Sequence, residues 1–111
     1  LPKPPSASNV KNWKDVGITA GEATRIQNAA NKIQKTINVV GSRAKGTAGA
    51  LSDWDYVIEG AKAKTISTVK NSLPKGLGGG TMTGTGWSGI DIFRSALDKA
   101  KAHIPFFPKK K

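Results

Sequence analysis

The chain contains no cysteine, so it has neither a disulfide framework nor thiol chemistry, and packing alone must hold it together. Its one histidine, His103, has no second His or Cys with which to share a zinc ion, and reads as a surface or helix-end residue. No apolar run reaches the length of about 18 residues that a membrane helix needs, and the start is not signal-like, so no span or export segment is expected within these residues. Apolar residues are only 37% of the total, and a length of 111 bounds the chain to one domain with a modest core. Acidic residues are scarce. There are 7 against 18 Lys and Arg, a net charge of +11 that draws polyanions, either nucleic acid or an acidic protein partner.

Two of the few acids stand in one informative pattern. The stretch from Val40 to Glu59 reads VGSRAKGTAGALSDWDYVIE. Trp54, Tyr56, Val57 and Ile58 form a run that reads as a strand, with Asp53 and Asp55 at its start. Alternation places both carboxylates on one face, about 7 Å apart along the chain. Like charges that close raise each other's pKa, and a divalent cation relieves the repulsion; all-oxygen ligands suit Mg²⁺ or Mn²⁺. Gly41-Ser42 follows the apolar run 37–40, where a strand would end, and backbone amides in a glycine turn beside a hydroxyl are suited to hold a phosphate. Arg43 and Lys45 sit beside that turn, as solvated charges or as contacts to a triphosphate or nucleic-acid backbone.

The remaining elements follow in order. Residues 1–18 mix prolines with Ser, Asn and Lys and read as a linker or arm, with Trp13, Val16 and Ile18 tucked against a body at 19–111. Thr19 and Glu22 have capping-box spacing, and Ala23, Ile26, Ala30, Ile33 and Ile37 draw one apolar stripe along a helix of about five turns. A second helix is expected from Ala61 to Leu73, with Ala63, Ile66, Val69 or Lys70, and Leu73 inward and Pro74 as its stop. The glycine-rich stretch 76–89 contains Gly84-x-Gly86-x-x-Gly89. It leads into a strand rather than opening a helix, so it is not a dinucleotide fingerprint and reads as a flap in which Trp87 or Met82 could stack on a base. The strand at 89–94 puts Asp91 between isoleucines, where a buried carboxylate would need a partner. Ser95 is expected to cap a last helix with Leu97, Ala100 and Ile104 inward, and a lysine tail closes the chain. The fold class is α+β, a small mixed sheet with helices packed mainly on one side.

Gly-Ser, ten residues, then Asp-x-Asp resembles the signature of the DNA polymerase beta-like nucleotidyltransferases, especially their minimal members, and the likeness covers roughly 20–94. The interior agrees: Arg43, Gly46-Thr47 and Ser52 fall where such enzymes read GSRARGT and SD. The resemblance implies that Gly41 and Ser42 hold the nucleotide's phosphates, and that Asp53, Asp55 and Asp91 are the catalytic metal ligands. It implies transfer of a nucleoside monophosphate from a nucleoside triphosphate to a hydroxyl with Mg²⁺ or Mn²⁺, and the positive charge favours an RNA acceptor, the 3′ end of a transfer RNA first.

A small basic catalytic domain behind a Pro-rich join also looks like the C-terminal effector of a bacterial polymorphic toxin of the contact-dependent growth inhibition type. The passages SDWDYVIEG and SLPKG-to-GIDIF carry that likeness. It implies a domain delivered as part of a larger secreted protein, acting in the target cell's cytoplasm and silenced in its producer by an immunity protein. Two alternatives stand beside it: an antitoxin-type protein adenylyltransferase, and a non-catalytic nucleic-acid-binding module.

Overall fold

The computed structural model describes residues 10–47, 53–74 and 90–109. A capping box opens the first helix, α1 (Ala20–Ile33): Glu22 N–H donates to Thr19 Oγ1 at 3.1 Å, and Thr19 N–H donates to Glu22 Oε1 at 2.9 Å. The helix has 14 residues, fewer than the stripe suggested, because Gln34 turns left-handed at φ 54° and ends it. Ile37 therefore belongs to the strand that follows, β1 (Ile37–Val40), and not to the helix.

A short helix, α2 (Ser42–Lys45), leaves β1, and the chain returns as β2 (Trp54–Val57). The next helix, α3 (Ala63–Lys70), is shorter than expected. Val69 and the following Leu73 are buried, whereas Ala63 is exposed. The chain then enters β3 (Ile90–Phe93), and a fourth strand, β4 (Ile104–Phe106), closes the fold. The sheet runs β3-β2-β1-β4. β1 is antiparallel to both β2 and β4, while β2 and β3 are parallel and joined by a connection carrying α3. This is a mixed α+β sheet.

Alternation sorts the strands into two faces. Ile37, Val39, Trp54, Tyr56, Ile90, Ile104 and Phe106 share one, in a single core with Ile26, Ala29 and Ala30 of α1, Val69 of α3 and Leu73. Ile18 joins that core, and Trp13 and Val16 pack on it from a 3-10 turn at Trp13–Asp15. Burying side chains of this size contributes about 1.5–3 kcal/mol each. Tyr56 keeps its polar end satisfied by donating from its hydroxyl to Pro74 O at 2.8 Å. Burial pushes its phenol well above the usual range, with Arg25 drawing it partly back.

No last helix forms after β3. Ala100 N–H donates to Asp98 Oδ1 at 3.0 Å and Lys101 N–H to Asp98 O at 3.1 Å, making a turn in which the aspartate competes for backbone donors. Leu97 N–H donates to Glu59 Oε2 at 2.7 Å, which ties the segment down before the turn. Ile104, expected on a helix, is a strand residue opposite Val39. His103 is buried rather than on the surface; its Nδ1 donates to Lys101 O at 2.9 Å, and it forms a bridge with Val10. Among the described residues no helix is long and apolar enough to cross a membrane.

Candidate active site

The second face of the sheet, away from α1 and α3, carries Asn38 and Val40 of β1, Asp55 and Val57 of β2, and Asp91 and Phe93 of β3. Two aspartates from separate parts of the chain meet on it. Asp55 and Asp91 are register partners on parallel neighbours, where strands lie about 4.8 Å apart. Asp53, half-buried just before β2, lies on the same side by alternation. Asp55 is held above the usual carboxylate range, first by desolvation, then by the charges of Asp91 and Asp53. Asp91 is exposed, contrary to the expectation that its flanking isoleucines would bury it, because those two side chains take the opposite face.

Val40 pairs with Asp55, and this pairing delivers Gly41 onto the carboxylate. Gly41 has φ 73°, and a Cβ there would come within 2.7 Å of Asp55 Oδ2. Glycine is thus required both by the backbone conformation and by the close approach. The turn after it is rigid: Gly41 O accepts from Ala44 and Lys45 N–H, and Ser42 O from Gly46 and Thr47 N–H. Ser42 opens α2 beside Gly41, and Lys45 at its end lines a cavity of about 340 Å³ together with Gly41 and Asp55. Arg43 turns toward the core layer, its guanidinium 4.6 Å from the centre of the Trp54 ring. Trp54 in turn stacks on Tyr56 at 5.9 Å.

No protein-family model matches this chain. No curated protein or solved structure is significantly similar to it either. The site is therefore read from its own residues.

The far wall of the cavity comes from residues that the sequence reading had assigned to a helix: Ser95, Asp98 and Lys101, with Phe93 beside them. The β-favouring Ile104-Pro105-Phe106-Phe107 run was the available sign that the chain would return to the sheet, which draws residues 94–102 across the open face. Ser52, Trp87 and Met82 lie outside the described residues, as does the whole of the predicted flap at 76–89.

As a donor set, three carboxylates suit a hard divalent cation. Among the described residues no three acidic or imidazole groups converge closely enough to enclose an ion. Asp55 and Asp91 are the neighbouring pair, with Asp53 at the entry to the strand. A cation beside that pair would offset the charges of Asp91 and Asp53, which add to desolvation in raising Asp55.

Proposed function

We propose that this domain is a metal-dependent nucleotidyltransferase that moves a nucleoside monophosphate from a nucleoside triphosphate to a hydroxyl on RNA, the 3′ end of a transfer RNA foremost. One observation carries the reading: the Asp55 carboxylate, raised by desolvation and by two neighbouring aspartates, lies directly against the backbone of the Gly41 turn. Metal ligands and a phosphate grip would thus share one small space.

Asp53, Asp55 and Asp91 would hold magnesium or manganese, which when bound supplies Lewis-acid stabilisation of phosphate charge and a more acidic acceptor hydroxyl. Gly41 and Ser42 seat the phosphates, while Lys45 and Lys101, both lining the cavity, add positive charge there. The hydroxyl oxygen forms a bond to the α-phosphorus, the bond to the bridging oxygen breaks, and pyrophosphate leaves. Asp91, exposed beside Asp55, is the group placed to take the hydroxyl proton. Positioning and electrostatics account for most of the rate enhancement. Arg43 supports the floor of the site through Trp54.

The setting is that of an antibacterial effector, delivered as part of a larger protein and neutralised in its producer by an immunity protein acidic enough to cover a chain of net charge +11. The test is expression in a bacterium. Growth arrest that disappears with Asp53→Asn and with Asp55→Asn is the expected result. Arrest that persists in both variants would refute a catalytic toxin.

A further inference from the structure

A second cavity lies outside the aspartate site. It has a volume of about 600 Å³ on the same open face of the sheet, over β1 and β4. Alternation along β4 puts Ile104 and Phe106 into the core, and so turns Pro105 and Phe107 outward beside Asn38. Phe107 is 65% exposed and Val10, also in the lining, is 51% exposed. An aromatic ring left this open is a ready platform for a flat partner. Lys35 and Lys99 line the same cavity. Its carboxylate, Glu59, is already engaged by Leu97 N–H.

This groove adjoins the cavity that holds Asp55. Leu97 forms part of both walls, and Asn38 in the groove and Val40 in the catalytic cavity are two residues apart on one face of β1, about 7 Å.

We infer that this groove is the acceptor subsite, holding the single-stranded 3′ end of an RNA with a base stacked on Phe107, its backbone phosphates on Lys35 and Lys99, and its terminal hydroxyl directed toward Asp55 and Asp91. The inference rests on the nucleotidyl-transfer reading for the direction of the RNA. The groove itself rests on the exposed ring, the two lysines and its position beside the cavity that holds Asp55. An unstacked base on an aromatic face with lysines on the phosphates is the general chemistry of single-strand binding. A polyanion without planar groups would satisfy the lysines but leave Phe107 without a stacking partner.

The test uses the full chain carrying Asp55→Asn, which separates binding from chemistry, and a fluorescent single-stranded RNA with a free 3′ hydroxyl, followed by anisotropy. Adding Phe107→Ala is expected to weaken binding about tenfold, the effect of losing one stacked base. Adding Lys35→Ala and Lys99→Ala together is expected to weaken it and to reduce the salt slope by about 2, one per phosphate contact. Lys64→Ala, exposed on α3 across the sheet, should change neither, and thermal unfolding of each variant reports that the fold is retained. RNA affinity equal in all variants would overturn the inference. So would a Phe107-dependent affinity for poly-glutamate without one for RNA, which would identify the groove as a protein-docking surface. Transfer to RNA at full rate in an otherwise wild-type Phe107→Ala chain would remove the groove and leave the chemistry standing. Groove-dependent binding without any transfer would do the reverse.

Discussion

At the residue scale the site turns on Asp55, a carboxylate that the fold places under repulsion. Desolvation and the charges of Asp91 and Asp53 raise its pKa, so the folded state binds its proton more tightly than the unfolded chain does. For a raised carboxylate the sign is unfavourable to stability. The cost is absent below the unfolded pKa, grows as pH rises through the ordinary carboxylate range, and is complete above the folded pKa. Asp55→Asn should therefore raise the melting temperature at neutral pH by a few degrees, with the gain vanishing under acid conditions where the native carboxyl is protonated. Magnesium should stabilise the wild type and have much less effect on the variant. Calorimetry across pH, with and without the cation, checks both; a variant less stable than wild type at neutral pH would show that Asp55 is held by favourable contacts instead. Gly41 belongs to the same balance, since its missing side chain is what lets the turn reach that carboxylate.

At the element scale, much of the fold was legible and one part was not. The capping box at Thr19 and Glu22, the strand at 37–40, and the division of Trp54, Tyr56 and Ile58 from Asp55 and Val57 are local patterns, and the structure follows them. The juxtaposition of Asp55 with Asp91 rests on strand pairing, which alternation implies only once the sheet order is known. The last segment was misread because Ser95–His103 is rich in good helix formers, yet its competitors are tertiary: the Glu59 contact to Leu97, the Asp98 turn, and the pairing of β4 with β1. What anchors the chain after β4 is a polar row on α1. Gln27 Nε2 donates to Phe107 O at 2.7 Å, Lys109 N–H donates to Asn31 Oδ1 at 2.7 Å, and Gln34 Nε2 donates to Lys109 O at 3.2 Å. Asn31→Ala removes the acceptor for Lys109 and for Gln27, and should cost about 1–2 kcal/mol in urea unfolding. Hydrogen exchange should quicken in β4 before β2. Unchanged exchange in β4 would mean that pairing with β1 alone holds the strand.

At the scale of the whole molecule, helices cover one face of the sheet and leave the other for function. The acidic groups are few, and Asp55 and Asp91 are neighbours on that open face, with Asp53 near enough to act on Asp55, in a chain of net charge +11. A polyanion is drawn to such a surface from any direction, but the carboxylates repel its phosphates unless a cation intervenes. Binding and chemistry should thus respond oppositely to the loss of an aspartate: RNA affinity held or strengthened, transfer abolished. The most direct measurement is incubation of the pure chain with total bacterial RNA, Mg²⁺ and each labelled nucleoside triphosphate in turn, beside Asp55→Asn. The expected result is label in a discrete RNA band with wild type alone, which names nucleotide and acceptor together. Absence of label from RNA with every triphosphate, from a protein that binds both Mg²⁺ and nucleotide, would contradict transfer to RNA and move the acceptor to a protein or small molecule.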